Sequence, residues 1–380
     1  MNITSFKSGK YEQRLEYRAF LPEAVCHPWI VADAEMTDLL GRADRALGEL
    51  NAFAQLIPDI DFCIKMYVAK EATQSSRIEG TQTNIEDAFK TASDLKPEER
   101  DDWAEVQNYI HAVNFAIESL SRLPLSNRLL CETHAMLLSG VRGKHKQPGE
   151  FRTSQNWIGV SLKNAAFVPP HHEHVPALMS DLEKLLHAES FFVHPLIRIA
   201  IAHYQFETIH PFLDGNGRLG RLMISLYLAA TGLLGKPALY LSDYFERNKT
   251  AYVDNLMAVR EGNHLRAWLI FFLHGVEETA RGAASVFRSI LEIKTRIESE
   301  VLPHFSSRRL AGTRVLVRSL YAQPIVDVKR AAKIIGGTGN TASSLISDLV
   351  TQNVLVEVTG RQRNRIFAFE QYLALFRKQP

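Results

Sequence analysis

His210-Pro-Phe-Leu-Asp-Gly-Asn-Gly-Arg-Leu-Gly-Arg221 is the most informative stretch of this 380-residue chain. The residues before it, 196–209, repeat apolar side chains at helical spacing. Pro211 ends that helix because proline has no N–H to donate. A second apolar helix pattern runs over 219–231. The stretch therefore predicts a loop between two helices, with Gly-Asn-Gly opening the N-terminus of the second helix.

This loop carries the residue types of a phosphate site. Unpaired backbone N–H groups and the positive end of the helix dipole meet at a helix N-terminus, where they attract anions. Arg218 and Arg221 add two guanidinium groups, which pair well with phosphate oxygens. Histidine has an ordinary pKa of ~6.5, so the His210 imidazole is expected to accept a proton at physiological pH. We predict a polyphosphate site with a general base beside it.

The same residues resemble the signature HxFx(D/E)GNGRxxR of the Fic family. They match at every position that the signature specifies: His210, Phe212, Asp214, Gly215, Asn216, Gly217, Arg218 and Arg221. The resemblance extends from about Ser75 to about Leu273. It implies a mostly α fold, in which a helical Fic core carries a small β-hairpin flap. It also implies transfer of AMP from ATP to a hydroxyl side chain of a protein.

The resemblance assigns the chemistry of the transfer to named side chains. His210 accepts the proton of the target's Tyr, Thr or Ser hydroxyl as that oxygen attacks the α-phosphorus, and pyrophosphate leaves in line. Asn216 contacts the α-phosphate, Arg218 the β-phosphate and Arg221 the γ-phosphate. Catalysis would then rest on positioning and on stabilisation of negative charge.

Four further residues complete the predicted ATP and Mg²⁺ site. Asp214 is expected to coordinate Mg²⁺ shared with the ATP phosphates, although an Asp before Gly also stabilises turns. Gly215 and Gly217 are expected to present backbone N–H groups where a side chain would block close approach. Asn248 lies where the family places nucleoside contacts, and its alternative role is a helix N-cap.

A second motif, Ser75-Ser-Arg-Ile-Glu79-Gly80, lies far upstream. It resembles the inhibitory motif (S/T)xxxE(G/N) of the family. The resemblance implies that the Glu79 carboxylate, placed at the ATP site, pairs with Arg221 and occupies the guanidinium that the γ-phosphate needs. The alternative is a surface glutamate at a helix end.

Two other sets of residues are candidate metal-binding sites. Glu207-Thr-Ile-His210 has the Glu-x-x-His spacing of di-iron bundles, with His203 one turn earlier, but we find no second copy on a suitable helix. His171, His172 and His174 form a cluster without a cysteine or fourth ligand at a finger-like spacing. We expect these three to be exposed loop residues.

Composition is that of a globular protein, with 46% hydrophobic and 23% charged residues. No apolar run reaches the ~20 residues that span a bilayer, so we expect no membrane partner. The polar N-terminus has no signal-peptide pattern, and Cys26, Cys63 and Cys131 are scattered, which favours a reducing compartment. We expect a cytoplasmic protein.

The C-terminal residues, 304–380, differ from the rest in charge. They hold twelve Lys and Arg against four Asp and Glu. Their pattern of helices around the turn 336–339, followed by two strands, resembles a winged helix-turn-helix domain. Its expected basic tip carries Arg361, Arg363 and Arg365. Such a module binds DNA, or else serves dimerisation or protein docking.

We predict four segments along the chain. They are an N-terminal helical region with the inhibitory motif (1–103), a Fic catalytic core (104–275), a helical connector (276–303) and the winged helix-turn-helix domain (304–380). Apolar patterns predict helices over 36–53, 104–120, 126–139, 174–187, 196–209, 219–231, 247–260 and 265–299, the last long enough for two helices. Residues 157–168 read as a β-hairpin, which resembles the family's flap and would hold an extended target segment.

The favoured function is therefore an Mg²⁺- and ATP-dependent protein adenylyltransferase restrained by Glu79. Its target is another protein or the chain itself. Alternatives are a DNA-binding regulator whose Fic core only senses nucleotide, a related phosphoryl or phosphocholine transfer, and removal of AMP. A lysine at position 217 would favour the kinase-like variant, whereas Gly217 favours AMP transfer. Whether the chain forms a homodimer stays open.

Overall fold

The computed structural model describes residues 1–14, 16–57, 60–92, 95–141, 145–361 and 364–377, with Phe62 described by its backbone alone. Helices dominate these residues, and the predicted mostly α fold is confirmed. The helices are α1 (Ala34–Leu56), α2 (Ile60–Ile78), α3 (Arg100–Ser119), α4 (Asn127–Leu137), α5 (Val175–His187), α6 (Pro195–Ile209), α7 (Asn216–Ala230), α8 (Ser242–Arg247), α9 (Lys249–Gly262), α10 (Leu265–Arg296), α11 (Ser307–Ala322), α12 (Val328–Ile335), α13 (Gly339–Thr351) and α14 (Glu370–Arg377).

The strands are short and form small antiparallel sheets. They are β1 (Gly9–Gln13), β2 (Arg18–Pro22), β3 (Ile158–Gly159), β4 (Ala165–Phe167), β5 (Ile325–Asp327), β6 (Val356–Glu357) and β7 (Ile366–Ala368). β3 pairs with β4 as the predicted hairpin. β1 pairs with β2, a hairpin that the sequence patterns did not predict, and the Phe20 N–H donates to the Val168 carbonyl beside the flap.

α6 and α7 lie at the centre of the fold. Proline is tolerated at the start of α6, since the first N–H groups of a helix have no partner within it. Nearly every side chain of α6 is buried, which its almost unbroken apolar sequence requires. The helix ends at His210 in the left-handed conformation, with φ 50°, and α7 begins after Gly215 at φ 73°. These two turns fold the connecting loop back against the helix ends.

α2 lies between two parts of the molecule. One side packs on α3, α7 and α8, and the other side packs on α11 and α14. Tyr67 shows the second contact directly, because its ring meets the Phe376 ring edge-on at 5.2 Å. The helix is not among those predicted from apolar spacing, since a helix covered on two sides lacks a single apolar stripe.

The C-terminal residues form α11, β5, α12, α13, β6 and β7 in that order, and the three strands make a sheet ordered β5-β7-β6. α14 follows and was not predicted. The winged-helix assignment stays a prediction. Arg361 is exposed, Arg365 lies 5.4 Å from the Phe367 ring, and Arg363 lies outside the described residues.

Two of the predicted segment boundaries lie within helices. The boundaries after residues 103 and 275 fall inside α3 and α10, whose helical hydrogen bonds continue through both positions. The pattern over 265–299 forms one helix, α10, followed by a π-helical turn at Ile297–Val301, rather than two helices. Among the residues that the structure describes, no helix is both long and apolar enough to cross a bilayer.

Candidate active site

His210 ends α6 and is held by its backbone. Its N–H donates to the Phe206 carbonyl at 2.9 Å. Its own carbonyl accepts from Arg152 Nε at 2.9 Å and from Asn156 Nδ2 at 3.2 Å. The side-chain Nδ1 is buried, and the imidazole is close enough to the Glu207 backbone carbonyl to interact with it. Burial, assisted by the positive charges of Arg260 and Arg152, lowers the pKa of His210 to about 4. The imidazole is therefore neutral near pH 7 and has a nitrogen available to take a proton.

Arg152 organises the end of α6, and sequence reasoning missed it. The residue is only 2% exposed. Its guanidinium also donates to the carbonyls of Ser154, Pro170 and Ile209. An arginine that donates to four carbonyls fixes the chain around His210, because buried carbonyls need hydrogen-bond partners.

Asn216 closes the loop that follows His210. Its Oδ1 accepts from the Phe212 N–H and its Nδ2 donates to the Phe212 carbonyl, both at 2.8 Å. The Phe212 ring is fully buried and stacks on His134, with centroids 3.9 Å apart. His134 Nδ1 accepts from the Gly149 N–H, so its Nε2 donates to the Asp214 carbonyl at 2.9 Å. This packing anchors the loop through Phe212, while the α-phosphate role of Asn216 stays a prediction.

Asp214 holds the turn and also faces solvent. Its Oδ1 accepts from the Gly215 N–H at 2.6 Å and lies 3.7 Å from Arg218 Nη2. The carboxylate remains 42% exposed. Mg²⁺ is usually bound by one or two carboxylates together with substrate phosphates. A half-exposed carboxylate beside an arginine suited to phosphate fits such a site.

Arg218 is buried beneath the loop. Its Nη1 lies 3.4 Å from a carboxylate oxygen of Glu105 on α3, and its Nε has no partner among the described residues. The backbone carbonyl of Arg218 accepts from the Tyr109 hydroxyl, which also donates to Glu71 on α2. The first turn of α7 is thereby fixed to both α2 and α3.

Arg221 and Glu79 form the ion pair that the motifs predicted. Arg221 Nη2 donates to Glu79 Oε1 at 2.7 Å, and the guanidinium also donates to Ser75 Oγ at 2.9 Å and to the Ser75 carbonyl at 2.8 Å. Burial alone would raise the pKa of Glu79, but Arg221 holds that pKa below its usual range. Gly80 follows at φ 108° and turns the chain away from α2.

Gly217 lies directly under this ion pair. A Cβ at position 217 would be 2.4 Å from Glu79 Oε1 and 2.9 Å from Arg221 Nη1. A side chain at position 217 would therefore push the Glu79 carboxylate and the Arg221 guanidinium out of the positions that they hold here.

Glu207 lies one turn before His210 on α6. It is buried, and its Oε1 has no partner among the described residues. Burial raises the pKa of Glu207 to about 7. His203 bonds to the Gly220 carbonyl and the Tyr252 hydroxyl instead of facing Glu207 as a ligand pair. No cluster of three or more His, Cys, Asp or Glu able to hold a metal occurs in the described part of the chain.

Asn248 joins α8 to α9. Its Nδ2 donates to the Tyr244 carbonyl at 2.9 Å, and it makes no N-cap hydrogen bond to α9. The next residue, Lys249, reaches across to the Ile78 carbonyl at the end of α2. Asn248 is thus close to the inhibitory segment, and its nucleoside contact stays a prediction.

His171, His172 and His174 are half-buried rather than exposed as predicted. His171 lies 3.2 Å from Glu173, and His174 lies 3.4 Å from Glu12 on β1. The β1–β2 hairpin, which was not predicted from the sequence, contributes the contact of Glu12 with His174.

Family models match two adjacent parts of the chain. Residues 37–118 match the model described as Fic/DOC family N-terminal, and residues 124–228 match the model described as Fic/DOC family. The second match contains the whole loop from His210 to Arg221, and the first contains Ser75 and Glu79.

Similar proteins carry related names. The chain is 34% identical over 151 residues to "Protein adenylyltransferase Fic" of Culex quinquefasciatus, a match that covers 40% of this chain and 27% of the relative. The matched part of this chain therefore corresponds to about a quarter of that relative's length. A crystal structure of a Fic family protein from Desulfovibrio desulfuricans G20 aligns with a TM-score of 0.55 at 19% identity, over 90% of this chain and 98% of that one. At this identity the alignment shows a shared fold.

Proposed function

We propose, on the premise that residues 37–118 and 124–228 belong to the Fic/DOC family, that this protein transfers AMP from ATP to a hydroxyl side chain of a protein. The observation that carries the proposal is the arrangement of His210 with Arg218 and Arg221. A neutral imidazole lies at one end of the loop, and two buried guanidinium groups lie at the other. The name of the Culex relative supports this activity.

In the proposed reaction His210 takes the proton of the target hydroxyl. The hydroxyl oxygen forms a bond to the α-phosphorus of ATP, and the bond to the β-phosphate oxygen breaks, which releases pyrophosphate. Arg218 and Arg221 are the proposed contacts of the β- and γ-phosphates. We assign the backbone N–H groups of Gly215 and Gly217 to the phosphates, and the Gly215 N–H would exchange Asp214 Oδ1 for a phosphate oxygen. We assign Asn216 to the α-phosphate. Arg152 keeps the imidazole in place by holding its backbone carbonyl.

We propose Asp214 as the residue that would hold Mg²⁺. The ion, when bound, would neutralise phosphate charge. The Asp214 carboxylate is 42% exposed and lies 3.7 Å from Arg218 Nη2, which suits an ion shared with a phosphate.

We also propose that Glu79 inhibits the enzyme. Its carboxylate occupies the Arg221 guanidinium at 2.7 Å, and Ser75 occupies two further donors of the same group. A γ-phosphate would have to displace Glu79 to reach Arg221. ATP bound without that contact would place its α-phosphorus out of line with the hydroxyl.

Intact-mass spectrometry of the protein with ATP and MgCl₂ tests the activity. We expect a mass gain equal to one or more AMP groups on the chain itself or on an added protein. The His210→Ala variant should show no gain while still binding nucleotide, because the base is separate from the phosphate contacts. AMP transfer by His210→Ala would contradict the assigned base. A mass gain equal to one phosphoryl group would identify the protein as a kinase instead.

A second proposal concerns the C-terminal module, residues 304–380. Lys329 and Lys333 are exposed and one turn apart on α12, which supports a contact with the backbone of duplex DNA. Arg309, Arg314 and Arg377 each pair with a carboxylate of this chain, which reduces the positive charge available to bind DNA. A gel-shift titration at low salt should show weak binding that falls as salt rises. The absence of binding would assign the module to protein contacts. A cytoplasmic location remains a prediction, and homodimer formation stays open.

A further inference from the structure

A cavity of about 320 Å³ lies away from the proposed active site, where the end of α10 meets α11. Ligand pockets of proteins are typically ~300–1,000 Å³, so this one has room for a small organic molecule. The start of α2 contributes Cys63 to its wall. The rest of its apolar surface comes from Ile57, Ile290, Ile297, Leu302, Val315 and Val317.

The charged residues at the cavity are mostly basic. Lys294 on α10 and Arg314 and Arg318 on α11 line it, against one acidic residue, Glu298. Arg314 and Glu298 lie 3.7 Å apart and are both more than half exposed, so they form a weak surface pair at the rim. The cavity therefore combines an apolar wall with a positively charged rim.

Tyr321 supplies an independent sign of a polar ligand. The residue lines the cavity and is 9% exposed, and its hydroxyl is buried without a hydrogen-bond partner among the described residues. Buried hydroxyl groups normally have a partner, because leaving one unpaired costs free energy. Burial raises the pKa of Tyr321 above its ordinary value, so the group keeps its proton and can donate it.

The backbone beside the cavity is also unusual. Ile297 and Glu298 begin the π-helical turn Ile297–Val301, which follows α10 without a break. Such turns are rare and occur often at functional sites. Here the turn places Ile297 on the cavity wall and Glu298 at its rim.

We propose that this cavity binds a small amphipathic carboxylate, a molecule with an apolar chain or ring and one carboxylate group. The apolar part lies against the isoleucine and valine side chains. The carboxylate pairs with Lys294 and, after a small rotation of the Tyr321 side chain that turns its buried hydroxyl toward the cavity, accepts the hydrogen bond of that hydroxyl. The site is separate from the loop that carries His210, so the proposal does not depend on the transferase activity.

Titration of the full-length protein with octanoate, followed by calorimetry, tests the proposal. We expect saturable binding with one site, and at least tenfold weaker binding of 1-octanol, which has the same chain without the charge. Lys294→Glu should weaken octanoate binding at least tenfold. Tyr321→Phe, which removes only the unpaired hydroxyl and should fold normally, should weaken it at least threefold.

Lys184→Glu is the matched control, since this exposed lysine of α5 does not line the cavity. Its octanoate affinity should equal that of the wild type, and thermal unfolding should show that all the variants are folded. The absence of saturable octanoate binding at millimolar concentration would overturn the proposal. Equal binding of octanoate and 1-octanol, or equal affinity in Lys294→Glu and wild type, would overturn it as well, because either result indicates unspecific adsorption.

Discussion

The Arg221 guanidinium donates to the Glu79 carboxylate at 2.7 Å, although the two residues are 142 positions apart in the chain. The contact joins the end of α2 to the first turns of α7. Arginine keeps its charge at all physiological pH values and needs an anionic partner. In this structure the partner is a carboxylate of the same chain, where the proposed reaction requires a phosphate. The release of Glu79 is therefore the step that would permit productive ATP binding.

Ser75→Ala should weaken the inhibition only in part. Ser75 Oγ accepts from Arg221 Nε at 2.9 Å, but the Ser75 carbonyl and Glu79 would still hold the guanidinium. We expect basal AMP transfer between that of the wild type and that of Glu79→Gly, measured as initial rates at saturating Mg²⁺-ATP. A rate equal to that of Glu79→Gly would show that the serine hydroxyl, rather than the carboxylate, sets the restraint.

Arg152→Met should destabilise the fold and disturb His210 together. The buried guanidinium serves several backbone carbonyls, and hydrogen bonds to charged groups contribute ~1.5–3 kcal/mol each. We expect the free energy of unfolding to fall by at least ~3 kcal/mol in urea titration. Arg128→Met is the control, since Arg128 is 73% exposed and its pair with Glu132 should contribute less than ~1 kcal/mol. Equal effects of the two substitutions would contradict the assigned role of Arg152.

His203→Gln should make stability less sensitive to acid. Burial lowers the pKa of His203 to about 3, so the folded chain keeps this imidazole neutral at pH 5. The unfolded chain protonates it below pH ~6.5, so the stability contributed above that pH is lost as pH falls. The unfolding midpoint of the variant should drop less than that of the wild type between pH 7 and pH 5. His304→Gln, at an exposed residue, should leave the wild-type pH dependence unchanged.

Phe376→Ala should loosen α2 from the C-terminal side. Phe376 is 3% exposed and meets the Tyr67 ring of α2 edge-on. Removal of a buried phenylalanine side chain typically costs ~3–5 kcal/mol. Because α2 carries Ser75 and leads directly into Glu79, we also expect faster basal AMP transfer. Val356→Ala, at a 46% exposed position, is the control and should change neither quantity. Destabilisation without a change in basal rate would show that the C-terminal contact does not hold the inhibitory segment.

The sequence predicted the parts of the site that depend only on residues close to one another in the chain. The loop from His210 to Arg221 is defined by a proline, two glycines and the apolar helices on either side, all of which act over a few residues. The Glu79–Arg221 pair was predicted from two motifs together. The contact between Arg152 and His210 could not be predicted, because the two residues are 58 positions apart and no sequence motif links them. A single arginine outside a motif is usually expected to lie on the solvated surface.

The packing of α2 was also beyond prediction. Its neighbours come from α3, α7 and α8 on one side and from α11 and α14 on the other, so its burial depends on contacts distant in sequence. The same is true of the β1–β2 hairpin, whose Glu12 contacts His174. Local patterns report which faces are apolar, but they do not report which distant element covers each face.

Labelling with ATP radiolabelled at the α-phosphate, in parallel with ATP radiolabelled at the γ-phosphate, tests the central claim most directly. The proteins compared are the wild type, Glu79→Gly, and Glu79→Gly combined with His210→Ala. Proximity and alignment can change a rate by orders of magnitude, so Glu79→Gly should transfer the α-label at least tenfold faster than the wild type. The double variant should transfer none, and the γ-label should stay off protein in all three. Equal α-labelling by the wild type and Glu79→Gly, or transfer of the γ-label, would contradict the account.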